Sequence, residues 1–456
     1  MLWFSSVPFF VCTLTWSVSG HLIKPSEEQK PINYTGYSLL QFKTHASSNS
    51  ISKIQKFNVQ VNEKTNSVRL LIEIWAKPSF QNPYALVLVA PEFIDKFKSL
   101  LTCSETETLK EIERNIQSKI DEEQTAMFRD SIGRQKRSLS TWYDFEVSEY
   151  HSYDQMRDFL TLLSEQIPDT VELVQVSTSF EGRIVYGVKI HPLVSPPNKS
   201  SIVVDAGVHA REWIAPAVAL YLIKTIVLQY GETSNVTDNL NKFDWYIIPQ
   251  VNPDGYEYSR TQDRLWRKTR SFNSTVSKHC FGSDGNRNWG YRWGEVGATR
   301  DPCSYLYQGS HPYSEPEIAG LKQFLTEQVS NPIVYASLHS YGQIFLAPWG
   351  HTNNKTANHD DLIDAVSEAV AAINATTGSV YIYGTISEMM YPSAGSSIDF
   401  MQHRGVPYVY GIELPPTNEV NNFAFNLPPN RIKETGDEIL AALHAIADHA
   451  VKVKNL

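Results

Sequence analysis

Two histidines and two glutamates carry the most concentrated chemistry in this chain. His209 and Glu212 stand three positions apart in HAREW, shortly after the β-branched run Ile202-Val203-Val204. His339 lies near the end of IVYASLHS, and Glu413 lies in PYVYGIEL. A hydrolytic zinc site takes three protein ligands and keeps one position open for water. His209 and Glu212 can reach one ion from a tight turn, and His339 can supply the third ligand from a neighbouring strand. Glu413 is then a spare carboxylate, suited to take a proton from a water that the metal activates. An isolated H-x-x-E pair is more often a surface ion pair, and a single His more often a satisfied core residue. The weight comes from all four falling together on strand-like runs.

Those runs define the scaffold. SIVVDAGV, FDWYIIPQV, IVYASLHS and PYVYGIEL read as buried strands. SYDQMRDFLTLLSEQI, PAVALYLIKTIVLQY, EPEIAGLKQFLTEQV and HDDLIDAVSEAVAAIN carry helical periodicity. Buried strands separated by helices predict an α/β fold, a mixed, largely parallel sheet flanked by helices on both faces. In open sheets of this kind ligands bind outside the carboxyl ends of the strands. His209, the Asn252-Pro253-Asp254-Gly255 stretch, His339 and Glu413 fall there.

Upstream, YTGYSLLQFKT, VRLLIEIWAKP and YALVLVAPEF are strand-like, with helical stretches around 51–57 and 92–101. They predict a small, separate α+β unit. Residues 104–137 are charged and helical in pattern, and they end in Arg134-Gln135-Lys136-Arg137. A basic cluster closing an exposed linker is open to a processing protease, with a cut after Arg137; the alternative is a solvated helix end. The first twenty residues are apolar and finish in small residues, as a secretory signal does. A membrane anchor is the alternative, against which Pro8 and the scattered Ser and Thr argue. No later stretch is apolar for long enough to cross a bilayer.

The chain has 456 residues and a net charge of −9, with no long basic run. That excludes nucleic acid as a partner, because phosphate contacts need clustered Lys and Arg. Of four cysteines, Cys12 would leave with the signal. Cys280 and Cys303, 23 apart in a loop-like region, read as one disulfide in a secreted chain, and Cys103 is left over. Six sequons begin at Asn33, Asn198, Asn235, Asn273, Asn354 and Asn374, which suits a glycosylated secreted protein.

HAREW, NPDGY, RLWRKTR, GNRNW, LHSYGQ, MMYPSAGSSID and GIEL occur in the order and spacing of the zinc metallocarboxypeptidases of the pancreatic A/B type, which the chain resembles over residues 138–456. The upstream segment resembles that family's ferredoxin-like activation domain. The resemblance implies a signal over 1–20, an activation pro-domain and connecting helix over 21–137, and a catalytic domain over 138–456. It implies one zinc ion held by His209, Glu212 and His339, with Glu413 as general base. Arg267 matches the residue that polarises the scissile carbonyl. Asn286 and Arg287 match the clamp on the substrate's terminal carboxylate, and Tyr391 the mobile tyrosine that closes over it. Arg211, Arg264, Ser340 and Tyr341 match subsite residues. Asp284 matches the partner that orients a ligand histidine, and Cys280 and Cys303 match the family's disulfide.

The resemblance puts the floor of the specificity pocket just before the Asp of SSID, here at Ile398. An isoleucine there leaves any charged side chain unpaired, so the pocket should take apolar or aromatic residues. The matching walls are Leu346, Gly350, Ile386, Met390, Ser393 and Gly411, and the small Gly411 makes room for bulky aromatics. The expected protein is therefore a secreted, monomeric precursor, activated by a processing protease, that acts on peptide and protein C-termini.

Overall fold

In a computed structural model the chain is described over residues 31–45, 48–62, 67–79, 82–132, 140–194, 199–416 and 425–454. Arg137 and its basic cluster, Cys12, Asn198 and the leader lie outside the described residues.

Among the described residues the smaller, N-terminal unit holds six strands: β1 (Ser38–Lys43), β2 (Val59–Asn62), β3 (Ser67–Leu70), β4 (Ile72–Ala76), β5 (Tyr84–Val89) and β6 (Lys110–Arg114). Four of them form an antiparallel sheet in the order β4-β5-β1-β6, while β2 and β3 pair by themselves. With helices Asn49–Ile54 and Ile94–Leu100 between strands, this is the βαββαβ arrangement of ferredoxin-like units. Period-two alternation splits its side chains between two jobs. Leu40, Phe42, Ile72, Ile74, Val87 and Val89 pack on the unit's own helices through Ile51, Ile54 and Phe97. Leu39, Leu88 and Trp75 face the other way, into a cluster with Leu265, Tyr341 and Phe425 of the larger unit.

The helical reading of 104–137 is corrected in part. Cys103–Glu107 and Ile116–Ile132 are helices, but Lys110–Arg114 is an edge strand on β1. The strand is mostly exposed, so it lacks the apolar alternation that would have revealed it.

The larger unit adds β7 (Val171–Thr178), β8 (Ile184–Ile190), β9 (Ser200–Ala206), β10 (Phe243–Ile248), β11 (Pro332–Ser340), β12 (Ile344–Ala347), β13 (Ile382–Thr385) and β14 (Tyr408–Leu414). They form one sheet in the order β13-β12-β14-β11-β9-β10-β8-β7. The four strands expected from the sequence are its parallel centre, β14-β11-β9-β10. Their neighbours β8 and β12 are antiparallel to it. Alternate residues serve opposite faces. Ile202, Val204, Trp245, Ile247, Val334 and Tyr410 pack with helices Ile214–Gln229 and Ile432–Lys454. Val203, Tyr246, Tyr335 and Val409 pack with helix Pro316–Glu327 on the other side. Helices thus cover both faces, as expected.

Candidate metal centre and substrate cleft

β9 ends at Ala206, and the chain turns through Gly207 at φ +74° before reaching His209. Only a residue without a side chain fits that turn, since a Cβ would sit 2.4 Å from Gln250 Oε1. The turn delivers His209 and Glu212 just before helix Ile214–Gln229. His339 comes from the carboxyl end of β11, and the β11–β14 register sets it directly opposite Glu413.

The three candidate ligands are buried. His209, Glu212 and His339 are 3–4% exposed, and one ligand atom from each lies within 4.8 Å of the others. The two Nδ1 atoms face each other at 3.1 Å. Glu212 bridges them, Oε1 at 2.8 Å from His209 Nδ1 and Oε2 at 3.2 Å from His339 Nδ1. Two ring nitrogens this close either share one proton, as an N–H facing a lone pair, or converge on a cation. Zinc–nitrogen bonds of about 2.0–2.1 Å at the tetrahedral angle place two ligand nitrogens about 3.3 Å apart. The donor set and its spacing therefore fit zinc.

The outer nitrogens are held as metal-ligating histidines require. His209 Nε2 lies 3.1 Å from Asp284 Oδ1, and His339 Nε2 lies 3.1 Å from Ser337 Oγ. The Ser340 amide donates to Glu212 Oε2 at 3.1 Å. Asp284 also accepts from Arg267, whose Nε and Nη2 donate to Oδ2 at 3.1 and 3.0 Å. Burial disfavours the charge of Asp284, yet Arg267, His209 and Arg287 hold its carboxyl well below the ordinary range. Burial pushes Glu413 up to about 7, with the Glu212 charge adding to the rise and His339 and Arg267 opposing it.

Beyond the cluster, Asn286 Oδ1 accepts from the Ser397 amide at 3.1 Å. Arg287 Nη2 donates to the Tyr391 hydroxyl at 3.0 Å. Tyr391 also lies under Lys77 of the smaller unit, with Nζ 4.2 Å from the ring centroid. Burial opposes ionisation of this phenol, but Arg287, Lys77 and Arg267 draw it below its ordinary value. Ile398 is buried at the start of helix Ser397–His403. A Cβ on Gly411 would meet Ile398 and Leu346, each at 3.7 Å; one on Gly350 would meet Ser393 O at 2.7 Å and Ile386 at 3.4 Å. Gly411, Ile398 and Leu346 therefore neighbour one another, as do Gly350, Ser393 and Ile386. Asp399, the acid next to Ile398, is engaged by the Gly350 and His351 amides at 2.7 and 2.9 Å and by His351 Nδ1 at 2.8 Å.

Arg211 and Arg264 are met by carboxylates that the sequence reading missed. Arg211 Nη1 donates to both oxygens of Glu73, at 2.8 and 3.0 Å. Arg264 grips Glu123 bidentately, Nε to Oε2 at 2.5 Å and Nη2 to Oε1 at 3.0 Å. All four side chains are at least nine-tenths buried. The Glu73 pairing is 138 positions apart and the Glu123 pairing 141, so no local pattern announced them. Tyr341 packs edge-on to Phe425 in the same interface, and its hydroxyl has no partner among the described residues. Cys280 and Cys303 are disulfide-bonded, and Cys103 is free and exposed. Among the described residues no single helix is long and apolar enough to cross a membrane.

Comparison with known proteins gives the geometry its context. A family model described as zinc carboxypeptidase matches residues 156–442. Carboxypeptidase A1 of Mus musculus is 32% identical over 420 residues, 92% of this chain and 95% of the relative. Carboxypeptidase B of Astacus astacus is 37% identical over 302 residues, 66% of this chain and 97% of the relative. The crystal structure of the carboxypeptidase A from Helicoverpa armigera superposes with a TM-score of 0.80 at 25% identity, covering 93% of this chain and 99% of that one.

Proposed function

This chain belongs to the zinc carboxypeptidase family, and on that premise we propose that it is a secreted precursor whose cut form removes apolar or aromatic residues, one at a time, from peptide C-termini. The observation that carries the reading is the buried convergence of His209, Glu212 and His339 with Glu413 in register beside His339.

Zinc, when bound by those three residues, supplies a Lewis acid that polarises the scissile carbonyl and makes water easier to deprotonate. Glu413 takes a proton from the attacking water as its oxygen bonds to the carbonyl carbon, and returns a proton to the departing amine as the C–N bond breaks. Arg267, braced by Asp284, faces the developing oxyanion. Arg287 and Asn286 hold the free carboxylate, for which a planar guanidinium is well shaped. Tyr391 closes that end of the substrate. Arg211, Arg264, Ser340 and Tyr341 bind the chain upstream.

The relatives' names divide between A and B types, so the family alone leaves the side-chain preference open. Ile398 supports the apolar preference, because a charged side chain desolvated against it would lack a partner. The small Gly411 beside Ile398 and Leu346 supports acceptance of large aromatics.

The precursor reading draws on the Glu73 and Glu123 contacts. Carboxylates of the N-terminal unit occupy the guanidinium groups that a substrate would use. The proposed boundaries are a signal over 1–20, a pro-segment over 21–137 and the enzyme over 138–456, released by a processing protease cutting after Arg137. The apolar leader and the disulfide support secretion. The working enzyme is a monomer. The test is an assay of peptides ending in Phe, Trp, Leu and Lys with the cut chain. Release of Phe or Trp ahead of Lys, abolished by a chelator, is expected; preferred release of Lys overturns the pocket assignment.

A further inference from the structure

His339 is oriented differently from its partner ligand. His209 reaches a carboxylate directly, through Nε2 and Asp284. His339 Nε2 meets a hydroxyl, Ser337 Oγ, at 3.1 Å. Ser337 Oγ in turn lies 2.7 Å from Oδ1 of Asp205, a residue that plays no part in the reaction described above. The hydroxyl of Tyr335 bonds the other oxygen, Oδ2. The β9–β11 register explains the meeting, since Ser337 is the partner of Asp205 across the two strands. Tyr335, Ser337 and His339 alternate along β11. All four residues are 0–4% exposed, so bulk water does not compete for these bonds.

The proton count along this chain has one consistent solution. A serine hydroxyl has a single proton to give. If Ser337 gave it to His339 Nε2, the ring would carry its own proton on Nδ1, toward His209 and Glu212, and could not ligate. Asp205 Oδ1 takes the Ser337 proton, which leaves Oγ as an acceptor for Nε2–H. Nδ1 then presents its lone pair to the ligand cluster. Burial pushes the Asp205 carboxyl up, but a protonated carboxyl with its hydrogen on Oδ2 still accepts at Oδ1, so the direction of the chain is the same in either state.

We propose that Asp205 and Ser337 are positioning residues that fix His339 in its zinc-binding tautomer, with Tyr335 bracing the far side of Asp205. The inference rests on His339 being a zinc ligand. It assigns a two-step support to β9 and β11 that mirrors the one-step support Asp284 gives His209. Supports of this kind are worth about tenfold to a hundredfold in metal affinity.

The test is zinc affinity of the full chain, measured by competition with a chromophoric chelator, together with the visible spectrum of the cobalt-substituted protein. Ser337→Ala and Asp205→Ala are each expected to raise the zinc Kd about tenfold or more and to shift the cobalt bands. Ser337→Thr keeps the hydroxyl and is expected to stay near the starting affinity. The double variant Asp205→Ala/Ser337→Ala should be no weaker than the worse single one, because both act through one path. Should Asp205→Ala fail to fold, the alanine–threonine pair at Ser337 decides. Wild-type affinity in Ser337→Ala, or losses that multiply in the double variant, overturns the proposal. His339→Ala separates the two layers: if it binds zinc as tightly as the unaltered chain, the ligand assignment itself fails.

Discussion

The metal cluster and the interface between the two units both bury several charges at nine-tenths or more, yet they are built in opposite ways. At the cluster every support comes from the larger unit itself: Asp284, Arg267, Ser337 and the Ser340 amide. At the interface each guanidinium is met by a carboxylate from the other unit, Glu73 on Arg211 and Glu123 on Arg264. Taking away the N-terminal unit leaves the cluster's supports in place and strips the interface of both counter-charges. The first region stands on supports of its own, and the second depends on both units being present. A buried pair adds little net stability, but breaking one by deleting a partner is costly. Deleting either carboxylate should therefore loosen the contact between the two units.

This contrast can be broken or sharpened by substitution. Glu413→Gln in the cut chain is expected to lower kcat by about 10²–10⁴-fold with zinc content unchanged, as read by peptide assay and metal analysis. A loss of zinc in this variant would mean that Glu413 ligates. In the uncut chain, Glu123→Ala takes the bidentate carboxylate away from the buried Arg264, and should weaken the hold of the N-terminal unit by about 3–5 kcal/mol. Urea unfolding of the uncut variant should show that loss, and activity before cleavage should rise. An unchanged midpoint would make the pair a bystander.

Ile398→Asp puts a carboxylate at the pocket and is expected to turn the preference from Phe toward Lys, a swing of about tenfold or more in kcat/KM, since 1.4 kcal/mol is tenfold. The smallest effect is an acid response confined to the N-terminal unit. Glu105 is held down to about 2 from its ordinary 4.5: burial opposes the shift, but bonds from Ser50, the Thr102 amide, Thr44 and Ser48 outweigh it. A depressed carboxyl contributes stability that is complete above 4.5 and is lost as pH falls toward 2. Glu105→Gln should flatten the acid limb of the N-terminal unit's unfolding curve over that window and leave the larger unit's curve unmoved.

What could be read from the sequence follows from where each interaction lies along the chain. The centre of the large sheet was legible because β9, β10, β11 and β14 are almost wholly buried and read as largely apolar runs. The outer strands were not. β7 mixes exposed and buried residues, and β12 and β13 have only four residues each. KEIER at β6 has the composition of a helix but pairs at a sheet edge, so tertiary pairing overrode local preference. At the site, HAREW and GIEL signalled themselves through residue types placed near strand ends. Asp205 gave no such signal: a lone acid in a strand acquires meaning only when β11 brings Tyr335 and Ser337 beside it, 130 and 132 positions away. Glu73 was hidden for a related reason. Its alternation partner Trp75 reads as core, and only the fold reveals that this face of β4 looks onto Arg211.

The most direct measurement is mass spectrometry of a peptide with several C-terminal apolar residues after incubation with the chain cut behind Arg137. Stepwise loss of single residues from that end is expected, stopped by a zinc chelator and restored by added zinc. An intact peptide, internal cleavage, or trimming indifferent to the chelator would contradict the account.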